Sequence, residues 1–269
     1  MSATLMIIIG IMLTFVCTAL GASLIFIFKN KKPSEKAMEI SLGFSGGIMM
    51  SASVFSLIVP AINAQVSYMN PVLIASISIL LGAGFFFLID KLVPHIHTAS
   101  NVEEGIKTKK MSKMSKMFLA VTIHNIPEGL AVGVAFGVAL SNYISSNSLD
   151  INVFFSALML AIGMGIQNIP EGFSVALPIK SETGNSGKAF LFGMLSGAVE
   201  PIAAVIGLIF AYSITAIMPW ALAFAGGCML YVIIEEMVPE SKASSDSHYG
   251  VWSFIVGFII MMVLDVLLG

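Results

Sequence analysis

Two copied six-residue motifs carry the polar side chains best suited to bind a ligand. The segment from His124 to Gly129 is H-N-I-P-E-G, and the segment from Gln167 to Gly172 is Q-N-I-P-E-G. Residues three or four apart lie on one face of a helix, so the first, second and fifth residues of each motif would project together. The proline in each motif frees the carbonyl four residues earlier. The two faces together would therefore offer carboxylate, amide and imidazole groups.

These groups lie in apolar surroundings that favour a cation as their partner. Glu128, Glu171 and Glu200 all lie well inside long apolar runs, with no lysine beside them in the membrane, and the chain has no arginine. An ionisable group at the centre of a bilayer costs about 2.5–3.5 kcal/mol, so these carboxyls must be protonated, face water or bind a cation. Neutral carboxyls that join helices by hydrogen bonds are the structural alternative. Mixed nitrogen and oxygen ligands favour a borderline divalent ion such as Zn²⁺ or Fe²⁺ over Cu(I).

The composition places these residues in a polytopic membrane protein. Of the 269 residues, 57% are hydrophobic and only 10% are charged, whereas soluble domains carry about 25% charged residues. This excludes a soluble globular protein, a disordered chain and a nucleic-acid binder. The two cysteines, Cys17 and Cys228, lie in apolar runs and indicate no disulfide framework.

A membrane-spanning helix needs about 20 mostly apolar residues, and the sequence contains eight such runs. We predict an all-α protein with one transmembrane domain over 1–269 and a mobile cytoplasmic loop at 94–116. The first run is no cleaved signal peptide, because no positive charge precedes it. The predicted spans 1 to 8 are 4–28, 38–62, 71–93, 117–140, 153–178, 188–211, 218–238 and 250–268.

The lysines predict the orientation of the spans. In an eight-span arrangement all thirteen lysines fall on one side of the membrane, and lysine-rich loops are normally cytoplasmic. We therefore expect a multi-pass protein of the plasma membrane, embedded in lipid, with both termini outside.

The sequence also indicates an inverted repeat. The copied motifs lie on spans 4 and 5, which run in opposite directions. A weaker copy pairs F-S-G-G-I-M at 44–49 of span 2 with F-A-G-G-C-M at 224–229 of span 7, and Val-Pro follows each. We predict that spans 1–3 are mirrored by spans 6–8, an arrangement characteristic of secondary transporters. A chance match remains the alternative, since Gly-Gly is common in packed membrane helices.

The paired motifs and the eight-span plan resemble the ZIP (Zrt/Irt-like) divalent-metal transporters, especially their compact prokaryotic branch. G-A-V-E-P in span 6 and E-E-M-V-P-E-S at the end of span 7 are also similar to that family. The resemblance covers essentially the whole chain. It implies a 3+2+3 helix arrangement, often dimeric, with a binuclear metal site between spans 4 and 5.

The resemblance also implies which residues bind metal. The ligands of the transported ion would be His124, Glu128, Gln167 and Glu171, with Met49 of span 2 nearby. Those of a second ion would be Asn125, Asn168 and Glu200, with Glu128 and Glu171 shared. Many family members have His where this chain has Gln167, and others have Asp at Asn168. The cargo would be Zn²⁺ first, with Cd²⁺, Fe²⁺, Mn²⁺ and Co²⁺ unranked, and no prosthetic group is implied.

Polar residues near the span ends are candidates for an exit or an entrance. The exit candidates lie on the lysine-rich side, where a solvated loop or interfacial charges are the alternatives. Asp265 of span 8 lies near the outside as an entrance candidate or an ordinary interfacial residue. The exit candidates are Asp90, His95, His97, Glu235, Glu236 and Glu240.

The hypothesis from the sequence is uptake of a divalent metal into the cytoplasm by alternating access, with a possible homodimer. An exporter or a proton-linked metal antiporter is the main alternative, since orientation does not set the direction of transport. A channel-like pore is another. An intramembrane zinc-dependent hydrolase is the enzymatic rival, but it needs firm zinc ligation and a held water. His124 is the only histidine inside a span, and H-E-x-x-H is absent.

Overall fold

The computed structural model describes residues 2–27, 35–96, 103–106, 113–146, 151–213, 217–241 and 248–268. Within these ranges it confirms the predicted all-helical class, with eight helices long and apolar enough to cross a membrane. These eight are spans 1 to 8. They cover Ala3–Phe26, Glu39–Ile62, Pro71–Leu92, Phe118–Ser145, Asn152–Ser181, Ser186–Tyr212, Met218–Met237 and Tyr249–Leu267.

The described part of these spans contains eleven α-helices, because spans 2 and 7 are each divided by a π-helical segment and span 6 is broken by a turn. Short residues with good acceptor side chains start several helices: Ser2 accepts from the backbone N–H of Leu5, and Asn70 accepts from that of Val72. The helices are α1 Ala3–Ser23, α2 Glu35–Ala52, α3 Val59–Ile62, α4 Pro71–Leu92, α5 Lys113–Ser146, α6 Ile151–Thr183, α7 Ser186–Ser196, α8 Val199–Ser213, α9 Met218–Val232, α10 Val238–Glu240 and α11 Tyr249–Leu268.

Span 6 is broken where the sequence predicted one helix over 188–211. A turn at residues 197–198 separates α7 from α8. Pro201 explains the break, because it cannot donate to the carbonyl of Gly197 and its ring crowds that carbonyl. The break places Glu200 in the first turn of α8.

Spans 2 and 7 each contain a π-helical segment, over Ser53–Ile58 and Ile233–Met237. Each segment begins nine residues after the phenylalanine of the copied Gly-Gly motif. Pro60 and Pro239 lie close to the ends of these segments, and neither can donate a helix hydrogen bond. Short π segments in helices are frequent at functional sites, and the one in span 7 carries Glu235 and Glu236.

The helices pack as two groups of four spans. In one group α1 packs on α6 and α5 packs on α8, while α7 contacts both α1 and α6. In the other group α2 packs on α11 and α4 packs on α9. The groups meet where α6 contacts α2 and where α5 contacts α9. The copied motifs of spans 4 and 5 therefore lie in one group and face the other.

Within the second group, the two helix pairs cross through equivalent glycines. A Cβ on Gly47 of α2 would lie 2.0 Å from the Phe254 carbonyl oxygen of α11, and a Cβ on Gly227 of α9 would lie 2.3 Å from that of Ile79 of α4. Such distances permit only glycine. Gly47 and Gly227 are the second glycines of the two Gly-Gly copies.

The loop predicted over 94–116 contains a short antiparallel strand pair, β1 His95–Ile96 with β2 Glu103–Glu104. It is also shorter than predicted at its end, because α5 begins at Lys113. His97 lies outside the described residues, and the single-domain organisation stays a prediction.

Candidate metal site

A cleft between the two helix groups brings together five of the predicted site residues. It occupies about 580 Å³, including space open to solvent, and extends from mid-span toward the lysine-rich ends of the helices. Spans 2, 4, 5 and 7 all contribute to its wall. The predicted residues among its lining are Met49, His124, Glu128, Glu171 and Glu236.

At the lysine-rich end of this cleft, His124 also belongs to a triad of side chains that could bind a metal ion. Its Nδ1 lies 2.8 Å from Oε2 of Glu236 in span 7. Asp90, at the end of span 3, completes a triad whose ligand atoms lie within 4.8 Å of one another. Imidazole and carboxylates at such separations are typical zinc ligands. The triad thus joins His124 of the predicted ion site to two predicted exit residues.

Asp90 is held by two further groups. Its Oδ2 accepts a hydrogen bond of 3.3 Å from the Tyr231 hydroxyl, and its Oδ1 lies 3.0 Å from Nε2 of His95. His95 Nδ1 lies 2.8 Å from the carbonyl oxygen of Val93. Burial lowers the pKa of His95, but its hydrogen bonds to Asp90 and Val93 and the charges of Asp90 and Glu236 outweigh burial and raise the pKa to about 9. His95 is therefore an imidazolium at neutral pH.

Deeper in the protein, the amides of span 5 link two buried carboxyls. Gln167 donates from Nε2 to Oε1 of Glu128 and, over 3.2 Å, to Oδ1 of Asn168. Asn168 donates in turn from Nδ2 to Oε2 of Glu200 over 2.8 Å. Hydrogen bonds donated by the two amides of span 5 therefore connect Glu128 of span 4 to Glu200 of span 6.

Glu200 accepts two more hydrogen bonds at its other oxygen. Thr18 of α1 donates to Oε1 over 2.8 Å, and Asn125 of α5 donates to the same atom over 3.3 Å. The Nδ2 of Asn125 also donates to the carbonyl oxygen of Ser196 over 3.1 Å. Glu200 is wholly buried, so its three donors replace the water it would otherwise bind.

Three buried acceptor oxygens in this network have no hydrogen-bond partner in the described structure. They are Oδ1 of Asn125, Oε2 of Glu128 and Oε1 of Gln167. A buried oxygen without a donor costs about 1–3 kcal/mol, and more when it is charged. One carboxylate and two amide oxygens are ligands that a hard or borderline divalent cation accepts.

The other predicted residues lie elsewhere. Glu235 is exposed, and the side chain of Glu240 is outside the described part. Asp265 lines a different cavity, of about 960 Å³ including space open to solvent, at the end of span 8 away from the lysine-rich loops. There Ser56, within the π segment of span 2, donates to its Oδ1 over 2.6 Å. This cavity also contacts span 4 and span 5 through Ala135 and Ala157.

Thr18 and Tyr231, which donate to Glu200 and Asp90, were not predicted from the sequence. Thr14 and Thr18 are four residues apart in an apolar span, both buried, and this spacing was a usable signal for a polar face on α1. No comparable signal marks Tyr231. The pairing of His124 with Glu236 was also missed, since it joins two spans that are distant in sequence.

Comparison with known proteins places these residues in a family context. The family model described as ZIP Zinc transporter matches residues 117–265. Zinc transporter ZIP11 of Xenopus tropicalis is 34% identical, over 100% of this chain and 98% of its own length. The human protein of that name is 32% identical, over 97% and 96%. Zinc transporter GufA of Myxococcus xanthus is 33% identical, over 94% and 95%.

Proposed function

We propose that this chain, which belongs to the ZIP zinc transporter family, moves Zn²⁺ from outside the cell into the cytoplasm. Metal transport follows from the family, and its relatives are named zinc transporters. The direction, the ion path and the ligand set are the proposal. Cd²⁺, Fe²⁺, Mn²⁺ and Co²⁺ are the competing ions to be ranked against zinc.

The observation that carries the ligand set is the group of unpartnered oxygens on Asn125, Glu128 and Gln167. Glu128 is almost fully buried, and span 4, which carries it, contains no lysine or arginine. A divalent cation supplies the missing charge. His124, Glu171 and Met49 line the adjoining cleft, so they are the proposed remaining ligands, and His124 adds the nitrogen that favours zinc over magnesium.

The proposed route runs from the cavity of Asp265 on the outside to the triad of Asp90, His124 and Glu236 on the inside. His124 belongs to the proposed ion site, and its Nδ1 lies 2.8 Å from Oε2 of Glu236. An ion can therefore stay coordinated by His124 as it passes from the carboxylates of that site to Glu236. His95, His97, Glu235 and Glu240 are proposed as further cytoplasmic exit groups. The orientation rests on the lysines, which we assign to the cytoplasm.

Alternating access would arise from movement between the two four-span groups, because the ion site lies on one group and faces the other. The matched glycine contacts at Gly47 and Gly227 support an inverted repeat, and so do the π segments at equal distances from the Phe44 and Phe224 motifs. Inverted repeats supply two exchangeable conformations in secondary transporters.

A second ion at Asn125, Asn168 and Glu200, bridged by Glu128 and Glu171, stays a prediction of the family resemblance. The hydrogen bonds of Glu200 bear directly on that prediction.

The test is uptake of radiolabelled zinc into proteoliposomes that contain the purified protein. Wild type should take up zinc saturably, and Glu128→Gln, which keeps the size of the side chain and removes its charge, should reduce uptake at least tenfold. Monodisperse elution of the variant in detergent controls for misfolding. Equal uptake by both proteins would refute the proposal, and zinc efflux driven only by an opposed pH gradient would favour an antiporter instead.

A further inference from the structure

The hydrogen bonds of Glu200 differ from those expected of a carboxylate that binds a second cation. We propose that the chain's own hydrogen-bond donors occupy the position of a second cation, so that Glu200 is a positioning residue and one ion binds between spans 4 and 5. This inference rests on the proposed transport function. Donors reach Glu200 from three helices, through Thr18 of α1, Asn125 of α5 and Asn168 of α6.

The orientation of the amides is determined by their neighbours. The carbonyl oxygen of Ser196 only accepts, so the Asn125 atom 3.1 Å from it must be the nitrogen. The Asn125 oxygen then points away from Glu200. The nitrogen of Gln167 faces two acceptors, Glu128 and Asn168, which turns the Asn168 nitrogen toward Glu200. Asn125 and Asn168 thus donate N–H to Glu200, and Gln167 donates to Glu128 and Asn168. The oxygens of Asn125 and Gln167 have no donor in the described structure.

These hydrogen bonds give the two buried carboxyls, those of Glu128 and Glu200, different roles. Both oxygens of Glu200 accept donors from the protein, whereas Oε2 of Glu128 has no donor. A cation at Glu200 would require Asn168 to rotate and present its oxygen. That rotation would set the Asn168 nitrogen against the Gln167 nitrogen, so two hydrogen bonds would be lost and two donors would face each other.

A single change should create the second position. Asn168→Asp removes the donor to Glu200 and adds a carboxylate beside it, which leaves two adjacent anions that only a cation can join without repulsion. The variant should therefore bind one zinc ion more per chain than wild type. Bound zinc would be counted by mass spectrometry of the metal after equilibrium dialysis of the full-length protein in nanodiscs.

The counts are compared as differences, so that zinc bound at the exit triad cancels. Glu200→Gln should keep the wild-type count, and in the Asn168→Asp background it should remove the added ion. A loss of one ion from Glu200→Gln in the natural background would overturn the inference. So would an unchanged count in a well-folded Asn168→Asp protein.

Thr18 supplies a second measurement that does not depend on burying an extra charge. Thr18→Val removes the hydroxyl donor at constant shape, and Thr18→Ser keeps it. Thr18→Val should lower the maximal uptake rate with an unchanged zinc count, and Thr18→Ser should keep the wild-type rate. A zinc count that falls by one in Thr18→Val would contradict the inference. Failure of wild type itself to bind or transport zinc would instead refute the proposed function.

Discussion

His124 and Glu236 contact each other across the two helix groups, with Nδ1 of the imidazole 2.8 Å from Oε2 of the carboxyl. The contact joins the first half of α5 to the π segment that follows α9. A carboxylate that binds one nitrogen of a metal-binding histidine sets the ring orientation and raises the basicity of the other nitrogen. On the proposed ligand set, Glu236 would act on the ion site through His124 and would receive the ion afterwards.

Removal of this carboxylate should weaken zinc binding. We expect Glu236→Gln to raise the zinc concentration for half-maximal uptake by about tenfold or more, the range seen for such partners of metal ligands. Glu235→Gln is the matched control for the contact with His124, because Glu235 is also a proposed exit carboxylate and is adjacent in sequence, but is exposed. Proteoliposome uptake at varied zinc concentration measures both. Equal effects of the two changes would mean that only the charge of the helix end matters.

Close helix packing at Gly82 should be sensitive to a single methyl group. A Cβ on Gly82 would lie 2.2 Å from the Phe224 carbonyl oxygen, whereas a Cβ on Gly84, on the same helix, would meet nothing within 4 Å. Gly82→Ala should therefore destabilise the fold by about 1–3 kcal/mol. Gly84→Ala should be neutral or stabilise by up to about 1 kcal/mol, because alanine is the better helix former. Thermal unfolding in detergent compares them, and similar melting temperatures would contradict the packing.

The ion pair of His95 predicts a loss of stability at alkaline pH. Its pKa is about 9 in the folded chain and about 6.5 in an unfolded one. The pair therefore contributes fully below about pH 6.5, and its contribution is lost as the pH rises through about 9. With a chelator present, the melting temperature of wild type should fall more between pH 7 and pH 10 than that of His95→Gln. Parallel curves would show that the pair with Asp90 does not stabilise the fold.

The orientation of the chain can be tested with two matched serines. Ser67 and Ser181 are exposed at opposite ends of the spans. In a background with Cys17 and Cys228 replaced, a membrane-impermeant maleimide should label Ser67→Cys in intact cells and Ser181→Cys only after the cells are opened. The reverse pattern would place the lysine-rich loops outside and would reverse the assigned direction of the path.

The predicted spans agree with the structure because each is a long apolar run, and a bilayer-spanning helix satisfies its backbone hydrogen bonds within itself. The break in span 6 was missed since hydropathy does not register the effect of Pro201 on the preceding turn. The π segments of spans 2 and 7 were missed for a similar reason. Their local hydrogen-bond pattern changes while the apolar composition continues unchanged.

The sequence by itself determined the helical class, the number of spans and the residues that carry polar chemistry, because composition and helical spacing are local properties. His124, Glu128 and Glu171, which it predicted as ligands, line one cleft. Only the tertiary structure decided that His124 meets Glu236 and that Thr18 donates to Glu200. These contacts depend on which helices cross and at which turn, and close packing around glycines sets both.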